Sequence, residues 1–198
     1  MFLFQEPSEK QLHSFFEAQK EKSFSYDEIG ASKQGAPSGY NVDHNRIKLG
    51  EGTESFALAV RAIQNWQMFN LGWVRVLQKD APIEIGTCAL VIVRHFGFYS
   101  LNVCRIVYLI EEDEPVKRYG FAYGTLEEHA ERGEERFSVE WNPEDNSVHY
   151  DLFAFSQPQH PLARLGYPVS RVLQKRFARD SKQAMFAAVN QQSNSSAD

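Results

Sequence analysis

The residues best suited to acid–base chemistry lie in one stretch, Tyr123 to Trp141, which reads YGTLEEHAERGEERFSVEW. His129 is followed closely by Glu134 and Glu135, and a histidine oriented by a carboxylate is a frequent general base. We therefore take His129, Glu134 and Tyr123 as the catalytic candidates. Two alternatives compete with this interpretation. The stretch is either a solvated loop between two strands, or a structural motif in which a buried glutamate accepts backbone amides.

The sequence offers less support for other chemistry. No serine or cysteine stands at a recognisable nucleophile elbow, which argues against a hydrolase triad. The six histidines show no H-x-x-x-H spacing and no CxxC occurs, so we predict no metal site. Gly50 and Gly52 precede a helical pattern, but neither a P-loop lysine nor a dinucleotide fingerprint accompanies them. We therefore predict no cofactor.

Composition limits the class of protein. The chain has 198 residues, of which 42% are hydrophobic, and this is enough for one core. A net charge of -5 gives no reason to expect a nucleic-acid partner. No apolar run reaches the length of a transmembrane segment, and the start lacks a secretory signal, so we expect a cytoplasmic protein. The sequence does not indicate the oligomeric state.

The periodicity of apolar residues predicts an α+β domain over residues 1–189. An N-terminal helix of about 7–22, capped by Ser8, precedes a strand around Val42–Leu49 and a helix capped by Thr53. Five or six strands then follow with no helix between them, which predicts an antiparallel sheet. In this scheme the segment TLEEHAERGEER is a loop. A final helix of about 161–189 and a disordered tail, 190–198, complete the chain.

The final helix has two faces when each residue is assigned about 100° of rotation. Apolar residues, among them Val169, Val172 and Phe177, fall in one sector, and we expect the opposite basic stripe to be solvated. That stripe comprises Arg164, Arg171, Lys175 and Lys182. Arg176 and Asp180 fall in the apolar sector, where they can pair. They line a polar spot in a cavity or form a structural ion pair in the core.

Candidate ligand-binding residues come from the strands and from this helix. Arg105 interrupts an aliphatic row, which suggests an anchor for an acidic ligand group or a partner for a carboxylate such as Asp151. Either Tyr150 with Leu152, or Phe153 with Phe155, must face inward from the last strand. The complete set of candidates is Arg105, Tyr123, Phe137, Tyr150, Phe153, Arg176 and Asp180.

Several motifs carry a resemblance to a known family. YDEIG, GYNVDHNRIKLGEG, YGTLxxHxxxGEERF and FSxPxHPLARLGYP resemble those of domain-of-unknown-function family 1990, over about Phe24 to Arg179. Six residues of this chain match the third motif: Thr125, His129, Gly133, Glu134, Glu135 and Phe137. The order of elements resembles the helix-grip fold of the START-like, or Bet v 1-like, superfamily. That resemblance implies a curved antiparallel sheet of about six or seven strands wrapped on a long C-terminal helix.

The resemblance leaves three functional hypotheses. Members of the superfamily bind lipids, sterols or other apolar molecules, so the first is binding of a small hydrophobic or amphipathic ligand between sheet and helix. The second is a cyclase- or hydrolase-like enzyme on the same scaffold. The third is a protein-interaction module with no small ligand, in which the acidic segment and the basic helix face recognise proteins.

Overall fold

The structure is a computed structural model that describes residues 1–159 and 167–195. Its helices are α1 (Glu9–Gln19), α2 (Gly52–Gln64) and α3 (Tyr167–Ser195). Its strands are β1 (Phe2–Leu3), β2 (Asn41–Glu51), β3 (Val74–Val76), β4 (Cys88–His95), β5 (Phe98–Glu112), β6 (Lys117–Thr125), β7 (Glu131–Trp141) and β8 (Ser147–Pro158). Short 3-10 turns span Ala31–Lys33 and Gln67–Phe69.

The strands form one antiparallel sheet, in the order β2-β8-β7-β6-β5-β4-β3, and the short β1 pairs with the start of β5. The sheet curls around α3, which crosses its concave face and contacts β2, β8 and α2. This is the α+β helix-grip architecture that the sequence predicted. In the described parts of the chain, no helix is both long and apolar enough to cross a membrane.

The ends of the helices test the local predictions. Ser8 caps α1 as predicted: its side chain accepts from the backbone of Gln11 and the side chain of Gln11 accepts from the backbone of Ser8. The predicted cap at Thr53 is wrong, because α2 begins at Gly52 and Glu51 occupies the cap position, where its side chain accepts no hydrogen bond from the first turn of the helix. The expected first turn of α3, from Pro161, lies outside the described residues, and the helix continues beyond residue 189 to Ser195.

The acidic segment TLEEHAERGEER is mostly strand, which corrects the prediction of a loop. Only residues 126–130 connect β6 to β7. The side chain of Thr125 accepts from the N–H of Gly133 at 2.9 Å and donates to its carbonyl at 3.1 Å, so the end of β6 is tied to β7. Gly133 has φ +146, and a Cβ there would collide with the carbonyl oxygen of Phe155. Glycine is therefore required where β7 approaches β8.

Both faces of the interior strands are covered. On the convex face, Leu12 and Phe15 of α1 pack against Leu90, Ile92 and Leu101, and residues 24–40 cover Phe153 and Phe155. On the concave face, α2 and the second half of α3 bury the largest apolar cluster. The strands consequently carry large side chains on both sides, and alternation of polar and apolar residues is weak in the sequence.

The contacts of α3 differ from the predicted two-faced helix. Arg171 binds Asp43 of β2 through two nitrogens, at 2.5 and 2.7 Å, and Lys182 donates to Asn45 at 3.2 Å. These members of the basic stripe therefore contact the sheet instead of standing fully solvated. Val172, which the rotation placed in the apolar sector, is 61% exposed. The helix is rotated about its axis relative to the prediction, because its basic side chains find carboxylate and amide partners on β2.

An aromatic cluster joins the sheet to α3. Phe69, in the connection after α2, lies 5.4 Å from Phe137 and 5.4 Å from Phe177, measured between ring centroids, and stacks on Tyr123 at 6.1 Å. Its side chain is almost completely buried. Phe69 therefore links β6, β7 and α3 in one contact set.

Replacement of Phe69 by alanine tests this link. We expect Phe69→Ala to lower the free energy of unfolding by about 3 to 5 kcal/mol, through lost apolar burial and the cavity left behind. Urea denaturation of the wild-type and variant proteins measures the difference. The matched control is Phe4→Ala, because Phe4 is 89% exposed and should change stability by less than about 0.5 kcal/mol. Equal effects of the two variants would contradict the assignment.

Candidate functional site

A cavity of about 680 Å³ lies between the concave face of the sheet and the first half of α3. The N-terminal residues, the β4–β5 hairpin and the connection after α2 complete its described wall. Large rings dominate that wall: Phe2, Phe69, Trp73, Phe98, Tyr123 and Phe177. Protein interiors are close-packed and leave few voids larger than a water molecule, so this space is a feature of the fold and not a packing fault.

Small side chains on the sheet create the space. Where α3 lies over the cavity, the strands present Gly133, Ala154, Ser156 and Ser100. Under the second half of the helix, in contrast, the hydroxyl of the fully buried Tyr150 lies 2.9 Å from that of Ser181. The second half of α3 therefore packs directly on the sheet, whereas its first half reaches the sheet through polar side chains such as Arg171 and spans a gap.

Glu135 is the carboxylate at the centre of the cavity wall. Its Oε2 accepts a hydrogen bond from the hydroxyl of Tyr123 at 2.7 Å. Burial raises the pKa of Glu135 to about 7, although the bond from Tyr123 acts in the opposite direction. Glu135 nevertheless keeps accessible surface, and because it lines the cavity we infer that this surface faces the cavity. Burial also raises the pKa of Tyr123, so its hydroxyl remains a donor at neutral pH.

Glu131 is a second carboxylate on the same face of β7. Its Oε2 is buried and has no hydrogen-bond partner among residues 1–159 and 167–195. Burial raises the pKa of Glu131 to about 7, while a hydrogen bond from Ser170 and the charge of Arg171 lower it. Both carboxyl groups thus exchange a proton near neutral pH, which suits them to bind a cation or to transfer a proton.

Two histidines border the cavity as neutral rings. The Nδ1 of His129 accepts from the N–H of Glu131 at 3.0 Å, and burial lowers the pKa of His129 to about 4. His95 lies 4.1 Å from Phe98, between ring centroids, and its buried Nδ1 has no hydrogen-bond partner in the part of the chain that the structure describes. Burial lowers the pKa of His95 as well. Neither ring therefore adds positive charge to the cavity at neutral pH.

The catalytic candidate Glu134 faces away from the cavity. Its main chain borders the space, but its carboxylate lies on the convex face and is buried. It accepts from the hydroxyl of Tyr26 at 2.7 Å, the N–H of Gly30 at 2.7 Å, the N–H of Ser32 at 3.0 Å and the hydroxyl of Ser32. The predicted pairing of His129 with Glu134 does not occur, because His129 borders the cavity whereas the carboxylate of Glu134 lies on the convex face. The structural alternative, a buried glutamate that accepts backbone amides, describes Glu134.

The charged ligand-binding candidates also lie outside the cavity wall. Arg105 donates to the carbonyls of Lys20 and Lys22, at 2.5 and 2.8 Å, and thereby fixes the chain that leaves α1. It does not pair with Asp151, which instead binds His44 at 2.7 Å and Arg136 at 3.3 Å.

The pair of Arg176 and Asp180 forms, at 3.4 Å, but near the surface. Trp73 holds it there: its indole N–H donates to Asp180 at 2.9 Å and Arg176 lies 4.3 Å above its ring.

The aromatic candidates divide between the two faces. Tyr123 lines the cavity, whereas Phe137 and Tyr150 lie beneath it as fully buried core. Of the two alternatives for β8, Tyr150 with Leu152 faces inward, and Phe153 with Phe155 faces the convex side. Phe153 therefore packs under the guanidinium of Arg136, 5.1 Å from its ring, and not toward the cavity.

The sequence contained a signal for the carboxylates that the prediction missed. The loop prediction for TLEEHAERGEER leaves Glu131 and Glu135 without an assigned face of the sheet. If the alternation of β7 is extended back from Phe137, positions 135, 133 and 131 share its inward face. Asp43 and Ala154, which lie opposite each other in the β2–β8 ladder, also line the cavity. The sequence contains no comparable pattern that predicts the position of His95 in the cavity wall.

Comparison with known sequences matches this chain to one family. The family described as "Domain of unknown function (DUF1990)" matches residues 25–184. A UPF0548 protein of Dictyostelium discoideum is 35% identical over 213 aligned positions, which cover 98% of this chain and 98% of that protein. A UPF0548 protein of Deinococcus radiodurans is 35% identical and covers 90% of this chain and 94% of its own length.

Comparison with solved structures supports the fold. A hypothetical protein of Helicobacter pylori has a TM-score of 0.50 at 14% identity and covers 84% of this chain and 96% of its own. The protein TTHA0849 of Thermus thermophilus has a TM-score of 0.50 at 13% identity, with coverages of 77% and 99%. Ara h 8.0201 matches with a TM-score of 0.48 at 13% identity and the same coverages. With the strand order and the position of α3, the matches at 0.50 agree with the predicted helix-grip fold.

The carboxylate of Glu134 should contribute to the stability of the protein and not to the wall of the cavity. We expect Glu134→Gln to lower the free energy of unfolding by about 3 kcal/mol, because an amide cannot accept all the buried donors that the carboxylate satisfies. Urea denaturation provides the measurement. Glu128→Gln, in the exposed connection after β6, is the matched control. A loss below about 0.5 kcal/mol for Glu134→Gln would show that the carboxylate is not the anchor of residues 26–32.

The raised pKa values of Glu131 and Glu135 predict a pH dependence of stability. Both have an ordinary pKa of 4.5 and a native value of about 7, so between these values the native state binds more protons than the unfolded state. Their contribution to stability is therefore complete below pH 4.5 and is lost as the pH rises through about 7. The lowered pKa of His129 has the opposite effect on the acid side.

The double variant Glu131→Gln/Glu135→Gln isolates this contribution. We expect the free energy of unfolding of the wild type, relative to that of the variant, to decrease between about pH 5 and about pH 8, since all other titrating groups are common to both proteins. Urea denaturation at several pH values within this range provides the test. A constant difference across the range would mean that the two carboxyl groups titrate normally.

Proposed function

This chain belongs to the family of unknown function DUF1990, and we propose that it binds a small, mainly apolar or amphipathic molecule in the cavity between the sheet and α3. The observation that carries the proposal is the cavity itself, with about 680 Å³ of space, a ring-lined wall and a few convergent polar groups. Binding sites for small molecules typically have volumes of about 300 to 1,000 Å³ and this distribution of apolar and polar groups.

The arrangement of the wall supports a binding role over a simple packing gap. Natural cores fill such space because each unfilled volume costs stability. Here the sheet presents glycine, alanine and serine opposite a helix whose other half is tightly packed. Carboxyl groups project into the gap at additional cost, since burial disfavours their charged forms. A ligand that fills the space would restore the missing contacts.

The rim of the cavity offers a route of entry. Phe4 is 89% exposed and Phe96 is 73% exposed, and both border the cavity. Phe96 also has φ +48, an unusual conformation for a residue other than glycine, at the tip of the β4–β5 hairpin. Exposed rings beside an apolar cavity provide a surface along which an apolar molecule can enter.

A cavity-filling substitution tests the proposal. Ala154 lines the cavity between Asp43 and Glu135 in the sheet, so Ala154→Phe places a ring in the space. The uncharged fluorophore N-phenyl-1-naphthylamine, which brightens in apolar surroundings, is the probe. We expect saturable binding by the wild type and binding weaker by at least about tenfold in the variant.

Val42→Phe is the matched control, because Val42 lies on the same sheet, is exposed and does not line the cavity. It should bind the fluorophore as the wild type does. Circular dichroism of each variant establishes that the fold is intact. Absence of saturable binding by the wild type, or equal binding by Ala154→Phe, would contradict the proposed function.

A further inference from the structure

The polar groups of the cavity wall share one electrostatic character. Glu131 and Glu135 are acidic, the rings of His95 and His129 are neutral, and no lysine or arginine occurs among the described residues that line the space. The nearest cation on α3, Arg171, is already held by Asp43 through two hydrogen bonds. A ligand with a carboxylate or phosphate head would therefore meet two acidic groups and no free counter-ion.

We propose that the ligand is an amphipathic amine, whose protonated nitrogen binds Glu135 while its apolar body lies among the aromatic side chains of the wall. This inference rests on the proposed function, because it specifies the chemical class of molecule that the same cavity takes. It adds a position for the head group and a reason for the acidic residues.

Glu135 has the geometry of an ammonium site. One oxygen is fixed by the hydroxyl of Tyr123, which sets the orientation of the carboxylate, and the accessible surface of Glu135 is part of the cavity wall. Ala154 lies directly opposite it in the β7–β8 ladder and leaves room for a head group. An ammonium can donate to the other carboxylate oxygen and to the phenolic oxygen of Tyr123.

The aromatic surroundings of Glu135 favour the same class of ligand. Tyr123 and Phe69 stack at 6.1 Å between centroids, and Phe177 and Trp73 complete this side of the cavity. Ring faces attract cations, and the attraction is stronger where water is excluded. A carboxylate beside ring faces binds a protonated amine better than it binds a neutral alcohol of the same shape.

Glu131 adds negative charge to the cavity wall at a position different from that of Glu135. It stands two residues before Gly133 on β7, and Glu135 stands two residues after, so the two carboxyl groups flank an open stretch of wall. The hydrogen bond from Ser170 and the charge of Arg171 already act on Glu131. We therefore expect Glu135 to contribute more than Glu131 to the recognition of an amine.

The test uses three probes with one apolar body and different heads: 4-phenylbutylamine, 4-phenylbutanol and 4-phenylbutyric acid. Each competes with N-phenyl-1-naphthylamine for the wild-type protein at about pH 8. We expect the amine to displace the fluorophore at a concentration at least about tenfold lower than the alcohol or the acid. In Glu135→Gln, the preference for amine over alcohol should fall to within about threefold, and the affinity for the alcohol should not change.

Two controls accompany the variant. Glu128→Gln makes the same substitution at an exposed carboxylate and should keep the full preference for the amine. Glu131→Gln should reduce the preference less than Glu135→Gln does. The Glu135→Gln protein should fold, because a neutral amide of the same shape removes a buried acid and can still accept from Tyr123.

A second readout is the pH dependence of the preference. The titratable groups around Glu135 on the neighbouring strands are Asp43, Cys104, Tyr123 and Tyr150. Burial raises the pKa of the cysteine and of both tyrosines, whereas the pKa of Glu135 is about 7 and that of Glu131 is about 7. Both glutamates therefore change charge in the tested range, and Glu135→Gln separates the contribution of Glu135. At about pH 5.5 the preference for the amine should shrink, because the alkylamine stays protonated while Glu135 gains a proton.

The outcomes separate the two proposals. If the fluorophore and the alcohol bind but the amine has no advantage, if the acid binds best, or if Glu135→Gln keeps the preference, the amine inference fails and the binding function stands. If the wild type does not bind the fluorophore saturably, the proposed function fails and the amine inference fails with it. A preference for the amine that disappears in Glu135→Gln and at the acidic pH supports both.

Discussion

The structure depends on the alternation of side chains along β7, an interior strand of the sheet. Successive residues of a strand point to opposite faces, and here neither face is left to solvent. Glu134 points to the convex side and Glu135 to the concave side, so neighbouring carboxylates in one motif have unrelated roles. Gly133 makes this arrangement possible, since it allows β7 to approach β8 and opens the concave face at the same position.

On the convex face, Glu134 holds in place a segment, residues 26–32, that has little regular secondary structure. A segment rich in glycine has few apolar contacts with which to offset its conformational entropy. Here the hydroxyl of Tyr26 and the amides of Gly30 and Ser32 converge on one buried charge. The motif YDEIG and the motif GEERF thus contact each other although about 100 residues separate them. Charge-assisted hydrogen bonds of this kind are strong enough to order a loop.

The sheet, its antiparallel order and the capping box of α1 could be predicted, because each depends on residues close together in sequence. The partners of Glu134 and Arg105 could not, since they depend on which distant segment covers each face. Arg105 interrupts an aliphatic row and therefore suggested a ligand anchor, yet that row faces the carbonyls at the end of α1. The cavity carboxylates could also have been predicted from the sequence. Phe137 faces inward, and the two-residue period of a strand places Glu135 and Glu131 on the same face as Phe137.

The concave carboxylates couple charge to occupancy of the cavity. An ionised carboxylate in an apolar space lacks the solvation that water would provide, and it therefore takes up a proton more readily than an exposed one does. A bound cation reverses this preference, because its charge stabilises the ionised form and lowers the pKa of the same group. By linkage, a cationic ligand must release protons on binding and must bind more tightly as pH rises through the titration of the empty site. The small residues that open the cavity and the acids that project into it thus reduce the stability of the empty protein, and the proposed ligand would offset that loss.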